Sequence, residues 1–363
     1  YRGFKWVGVT GVAVAFIVTS YYCHVGGWVL RYVVSYITEA QTVYADPLGY
    51  FYGLLGYNAA TGETWFPLTA ILFAAVFMAV NAFIIIKGVE GGIEKFNKVG
   101  MPALFVILIV LLARTITLDG AQVGFAYMLS CDWSKVGFNT FLSALGQAFF
   151  SLSVTGSGMI VYGAYLPKDE DVVDVAQHTA LFDTIAAIVA ALVIIPACFA
   201  YGLDVGSGPS LLFVTLPTIL QDVPLGRLFA VILYIAMIFA GVSSLQNMFE
   251  AVAESLLNRF PKLSRTAVLI LLGLLCLGFG LGMEPISKWG PWMDLVSIYI
   301  IPIGATLGAV SWFYVMKKDE LLDAVNTGSG RTRGALWYGV GRYVYVPIAV
   351  VLCFVALFKH ISF

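Results

Sequence analysis

An all-α polytopic membrane protein is the fold that this sequence predicts, and three observations predict it. Of 363 residues, 60% are hydrophobic and 11% charged, against the roughly 25% charge of a soluble globular domain. The mean hydropathy is +0.90. The apolar residues gather into runs of about 20, the length at which a helix crosses a bilayer. The whole chain, residues 1–363, reads as a single transmembrane domain.

Nine spans follow in order, at residues 6–37, 66–87, 99–117, 141–165, 172–201, 225–257, 266–283, 292–315 and 336–358. Several exceed the minimum length and are expected to tilt or project. Between the fifth and sixth, residues 204–223 are too few to cross and too apolar for a solvated loop, so a capping or re-entrant extracellular hairpin is expected there. Lys and Arg in the short loops set the orientation. Thirteen fall on the side of Tyr1 and six on the other, with Arg342 inside a span. The N-terminus is therefore expected in the cytoplasm and, after an odd number of spans, the C-terminus outside. The chain opens at Tyr1 with neither a Met nor a signal peptide, and is expected to lack its true beginning. The absence of an Asn-x-Ser/Thr sequon leans toward a prokaryotic source, and so toward a bacterial inner (plasma) membrane.

Composition also excludes. A net charge of −1 and no basic tract give no reason to expect a nucleic-acid partner. Cys23, Cys131, Cys198, Cys276 and Cys353 are scattered, without the spacing of a metal site or a disulfide framework. No GxSxG, HExxH or phosphate-binding loop occurs, so no enzyme is expected.

The fourth span carries an anomaly. Residues 153–158 hold Ser153, Thr155 and Ser157 together with Gly156 and Gly158. Glycine weakens a helix interior, and Ser and Thr compete for its backbone hydrogen bonds. Unwound backbone survives in a membrane only where protein or a water-filled cavity satisfies it. A broken transmembrane helix wrapped around a bound solute is the expectation.

Other polar residues at membrane depth are candidate sites. Asp183 lies about three turns into the fifth span, where a carboxylate costs roughly 2.5 to 3.5 kcal/mol unless compensated. A bound cation would compensate it, as would a proton or a hydrogen-bonding partner on another helix. Ser243 and Ser244 follow Ala240-Gly241 in the sixth span and offer the oxygen donors that small hard cations prefer, although such residues also pack helices together. Tyr21 and Tyr22 put phenols in the first span, where one could donate to a substrate carboxylate or simply to backbone. Asn247 and Glu250 suggest a polar network or vestibule along the sixth span. Asp294 reads as an interfacial charge, and His24, His178 and His360 show no ligand spacing. Asp169, Glu170, Asp171 and Asp174 open the fifth span, where carboxylates suit a helix N-terminus.

Several segments resemble the neurotransmitter:sodium symporters, in particular bacterial transporters of leucine and hydrophobic amino acids. GQAFFSLS, its glycine-bearing break and MIVYGAYLPKDEDV resemble the family's sixth helix and its exit. KGVEGGIEKFNKVGMPALF resembles the loop between helices four and five, TALFDT part of helix seven, and FAGVSS the start of helix eight. The resemblance implies the family's inverted-repeat transporter fold, with the nine spans corresponding to helices 3 to 11. Helices one and two have no counterpart, so both of the implied sodium sites would be incomplete in this chain.

The same resemblance implies residue roles. Val18 and Tyr22 would line the substrate pocket, with Phe150 its aromatic lid, a Ser153 carbonyl on the substrate amine, and Ser244 and Met248 the far wall. Ser151 and Asp183 would bind a first sodium; Ala240, Ser243 and Ser244 a second. Gln147 and Asp294 would form the outer gate, Tyr165 and Glu250 the inner. Asp183 stands where chloride-dependent members have Asn, so no chloride requirement is expected. Gly156 replaces an aromatic, which makes room for a bulky apolar or aromatic amino acid. Asn258 replaces the inner-gate Asp. Sodium-coupled symport by alternating access is implied, in contact with membrane lipid and with a homodimer as the expected assembly. A proton-coupled permease with Asp183 as carrier, or a non-transporting truncated module, are the alternatives.

Overall fold

The computed structural model describes residues 5–58, 60–87, 92–130, 132–153, 158–202, 205, 211–222, 224–282, 291–292 and 295–359. These residues are helical almost throughout, with one isolated antiparallel bridge, Tyr57 to Thr64, and no strand. Among the described residues, six helices are long and apolar enough to cross a membrane: Gly8–Thr38, Leu68–Ile86, Glu94–Ile116, Val172–Ala200, Gly226–Arg259 and Ala335–Phe358.

Two 34-residue helices form the centre, α1 (Lys5–Thr38) and a much later one. Two short helices follow α1: α2 (Ala40–Ala45) and α3 (Pro47–Leu54). Next come α4 (Leu68–Ile86) and α5 (Glu94–Ile116), then α6 (Ala121–Leu129). The predicted fourth span corresponds to α7 (Phe138–Ser151) and α8 (Gly158–Ala164). After α9 (Val172–Ala200), a π-helical turn at Leu211–Thr215 leads into α10 (Leu216–Asp222). The second central helix is α11 (Gly226–Arg259), and α12 (Arg265–Gly280) follows it. The last elements are α13 (Ile301–Val310), between π-helical turns at Leu295–Ile300 and Ser311–Val315, α14 (Lys318–Asn326), α15 (Ala335–Val340), a π-helical turn at Gly341–Tyr345 and α16 (Val346–Lys359).

α1 packs against α11, α4, α12 and α13. Small residues permit the close approach, as is usual between membrane helices. A Cβ on Gly27 would lie 2.4 Å from the backbone nitrogen of Ala74 in α4. The C-terminal half of α1 anchors an aromatic cluster of Trp28, Tyr32, Tyr36, Phe51, Phe213 and Tyr234. The Tyr32 and Tyr234 hydroxyls donate to the carbonyls of Phe213 (2.8 Å) and Leu212 (2.6 Å). These two contacts tie the π-helical turn at Leu211–Thr215 to α1 and α11. The opposite surfaces stay apolar: Leu68, Leu72, Val76, Val80 and Phe83 are exposed along one face of α4, as a face toward lipid requires.

Two polar loops meet at α9. Asp171 caps the helix, accepting the amides of Val173 (2.9 Å) and Asp174 (3.2 Å). Its second oxygen accepts the Ser329 hydroxyl (2.9 Å) and the Arg333 guanidinium (2.6 Å). Gly328 makes the approach with a φ of 71°, where a Cβ would sit 2.5 Å from the Glu170 carbonyl oxygen. Desolvation raises the Asp171 carboxyl, but Arg333, Ser329 and the two amides outweigh it and hold it at about 2. A value below the ordinary carboxylate range means that Asp171 stabilises fully above about pH 4 and ceases to do so as pH falls through 2. The melting-temperature gap between the protein and Asp171→Asn is expected to be constant above pH 5 and to close between pH 4 and 2. A gap that persists undiminished at pH 2 would refute the assignment.

Candidate transport site

α7 ends where its sequence changes character. The last helical residue is Ser151, Leu152 caps the helix, and Ser153 adopts a left-handed φ of 51°. A non-glycine residue there costs about 1 to 2 kcal/mol, and such strain is characteristic of functional backbone. The Ser151 hydroxyl lies 2.8 and 2.7 Å from the two carboxylate oxygens of Asp183 on α9, donating to them. The compensation that Asp183 requires thus comes, in this structure, from a hydroxyl 32 residues away in sequence. Together they present a compact set of hard oxygen donors, of the kind that suits a small alkali cation.

Beside this pair lies an apolar cluster built by four regions of the chain. Val14, Val18 and Tyr21 of α1 bury against Val296 and Ile301 around the start of α13. Tyr22 of α1, Phe150 of α7 and Met248 of α11 pack onto them. Four of the substrate-pocket candidates, Val18, Tyr22, Phe150 and Met248, therefore meet in one cluster. Tyr22 also hydrogen-bonds to Ser244. The preceding residue, Ser243, donates its hydroxyl to the Ala240 carbonyl at 2.9 Å, so two of the oxygens expected at the second sodium adjoin. Gln147 is exposed on α7, one turn before Ser151. Gly156 and Asp294 lie outside the described residues.

Tyr165 and Glu250 do meet, within a larger network. Glu250 is fully buried. Its carboxylate accepts the Tyr165 hydroxyl (3.3 Å) and one guanidinium nitrogen of Arg265, at 2.7 and 2.6 Å from its two oxygens. The other terminal nitrogen of Arg265 reaches Glu254 at 2.7 Å. Sequence reading missed Arg265 and Glu254. Two signals were available. Arg265 starts a helix, where the dipole disfavours a cation. Glu250 and Glu254 sit four residues apart, where like charges repel unless a cation bridges them.

The long apolar helices define a multi-pass membrane protein with polar side chains buried among them. The Sodium:neurotransmitter symporter family matches residues 55–362, and this chain belongs to that family. A sodium-dependent transporter of Bacillus subtilis is 32% identical over 98% of this chain and 80% of its own length. One from Haemophilus influenzae is 28% identical over 97% and 79%. The crystal structure of MhsT in complex with L-phenylalanine superposes with a TM-score of 0.84 at 30% identity, covering 98% of this chain and 81% of that one. The protein is thus a sodium-dependent, multi-pass membrane transporter.

Removing one partner of a buried ion pair costs about 3 to 5 kcal/mol. Arg265 is 28% exposed and keeps Glu254, so Glu250→Ala is expected at the low end, about 3 kcal/mol after allowing for solvent screening. Replacing both partners, Glu250→Gln with Arg265→Gln, is expected to recover more than half of that loss in denaturation of the purified protein. A double variant as unstable as the single would show that the pair is not what holds this end.

Proposed function

We propose that the protein couples sodium to the uptake of a bulky hydrophobic or aromatic amino acid by alternating access, without a need for chloride. The observation that carries this reading is the convergence of Tyr22, Phe150 and Met248 on an apolar cluster, with the Ser151–Asp183 contact at the end of α7. An apolar wall suits an apolar side chain, and hard oxygens suit sodium. The L-phenylalanine bound to MhsT supports the substrate class.

In this reading the Tyr22 hydroxyl exchanges its Ser244 partner for the substrate carboxylate, and the Ser153 carbonyl accepts from the amine. Val18, Phe150 and Met248 enclose the side chain, with Gly156 leaving room for it. Ser151 and Asp183 hold one sodium; Ala240, Ser243 and Ser244 a second. Asp183 supplies the fixed negative charge that would otherwise call for an anion. Nine spans cross a plasma membrane from a cytoplasmic N-terminus, the fourth broken between α7 and α8. Gln147 and Asp294 gate the outer side, Tyr165 and Glu250 the inner. Sodium and substrate shift the balance of open and occluded states by binding them unequally.

Sodium-driven uptake in proteoliposomes is expected to be competed by tryptophan, tyrosine, phenylalanine or leucine and not by glycine. The opposite order would remove the proposed substrate class. Replacing chloride with gluconate is expected to leave uptake intact, and a large loss would exclude Asp183 as the substitute charge.

A further inference from the structure

The last described span holds a charge that no carboxylate of the described residues answers. Arg342 lies in the π-helical turn at Gly341–Tyr345, within the apolar span Ala335–Phe358 and about 10 Å from its start at 1.5 Å per residue. A guanidinium at that depth is costly unless it is paired. Among the described residues its one hydrogen-bond partner is the Tyr338 hydroxyl, 3.0 Å from Nη1, and its Nε is buried with none. The acidic residues closest in the fold are committed or turned to solvent: Asp171 holds Arg333, Glu320 pairs with Lys317, and Asp319 and Asp323 are exposed on α14.

The position of Arg342 is built by its neighbours. The π-helical turns at Ser311–Val315 and Gly341–Tyr345 meet at Gly341, where a Cβ would overlap the Phe313 ring. Two tyrosines cross this junction, Tyr314 donating to the Arg342 carbonyl at 3.0 Å and Tyr338 to the Phe313 carbonyl at 2.9 Å. They fix the backbone on which Arg342 stands. The guanidinium carbon then sits 4.5 Å from the centre of the Tyr314 ring and 5.9 Å from those of Tyr338 and Tyr343. Lys318, which opens α14, brings a second cation 5.6 Å from the Tyr338 ring. An arginine that only snorkels to the interface needs no such frame.

The surface around this pair is apolar. Trp312, Leu336, Val340 and Tyr343 are exposed beside it, and farther along α16 Val351, Phe354 and Phe358 are exposed at i, i+3 and i+7, on one helix face. Such a surface faces acyl chains. Where hydrocarbon meets headgroup, the anionic oxygens that a membrane supplies are lipid phosphates, and a guanidinium binds these with two parallel hydrogen bonds.

We propose that Arg342 and Lys318, framed by Tyr314, Tyr338 and Tyr343, form a binding site for one anionic phospholipid. Arg342 takes the phosphodiester and the exposed face of α16 takes an acyl chain. Lys318 sets the selectivity, because a zwitterionic headgroup would bring its own ammonium against that cation whereas a glycerol headgroup brings none. The site is independent of the substrate and ion couplings proposed above.

The test is lipid retention by the purified protein in detergent micelles, read by native mass spectrometry after titration with dioleoyl phosphatidylglycerol or dioleoyl phosphatidylcholine. Phosphatidylglycerol is expected to be retained in preference. Arg342→Gln is expected to weaken its retention roughly tenfold, as the loss of a hydrogen-bonded charge would, and Lys318→Gln about fivefold, as the loss of a basic residue near an anionic surface would. Neither variant is expected to alter retention of phosphatidylcholine, and Arg342→Lys, which keeps the charge without the fork, is expected to fall between Arg342→Gln and the unaltered protein. Equal retention of the two lipids, or retention of phosphatidylglycerol that survives both glutamine substitutions, overturns the proposal. So does displacement of the lipid by inorganic phosphate at matched ionic strength, which would mark a site for free anions. Should Arg342→Gln fail to fold, the exposed Lys318→Gln decides alone, since unchanged selectivity there refutes the site.

Discussion

A polar group surrounded by hydrocarbon and packed side chains has no water to fall back on, and much of the architecture follows from which of these groups find partners. Most are satisfied locally. Ser20 donates to the Phe16 carbonyl, Asn81 to Phe77 and Thr115 to Leu111, each four residues back along its own helix. Others join elements: Thr306 of α13 donates to Ala349 of α16, and Tyr32 to the turn before α10. Helices held in this way can pack on small residues and aromatic rings without further polar contacts. What stands out is the remainder, in which Asp183 depends on a hydroxyl from another helix and Glu250 on a guanidinium.

The sequence carried the large elements plainly, because membrane-spanning helices declare themselves by length and hydropathy alone. Asp183 was legible for the same reason: a lone carboxylate in an apolar span demands a partner. That the partner is the Ser151 hydroxyl was not legible without the resemblance, since only the folded chain brings residues 32 apart in sequence to hydrogen-bond distance. The Glu250–Arg265 network was half legible. Glu250 was visible as a charge at depth, but Arg265 passed as one more basic residue in a short loop, because counting loop charges discards their individual positions. The π-helical turns in the last third left no trace in composition, since one extra residue per turn leaves the hydropathy of a span unchanged.

The two central helices divide the work. α1 is a mostly buried post, and its Ser20, Cys23 and His24 side chains reach backbone carbonyls. Its contribution to the site is a wall of Val14, Val18, Tyr21 and Tyr22 that packing fixes in place. α11 buries its apolar residues Val242, Leu245 and Phe249 against α4 and α12, leaving another face free to be polar. That separation lets one helix serve as packing scaffold and polar lining at once, because side chains a third of a turn apart never compete for the same neighbours.

The chemistry at the end of α11 has a logic of its own. A single carboxylate on a single guanidinium would be a closed pair, neutral and expensive to open in a buried setting. Two carboxylates on one guanidinium are different, since Arg265 can release either one and still hold a charge partner. The planar fork makes both contacts at hydrogen-bond distance, 2.6 to 2.7 Å, so the closed arrangement is well ordered. Moving Arg265 toward Glu254, the more exposed of the two at 37% against 0%, separates fewer charges than breaking a lone pair would. An arrangement of this kind is stable when closed and comparatively cheap to open.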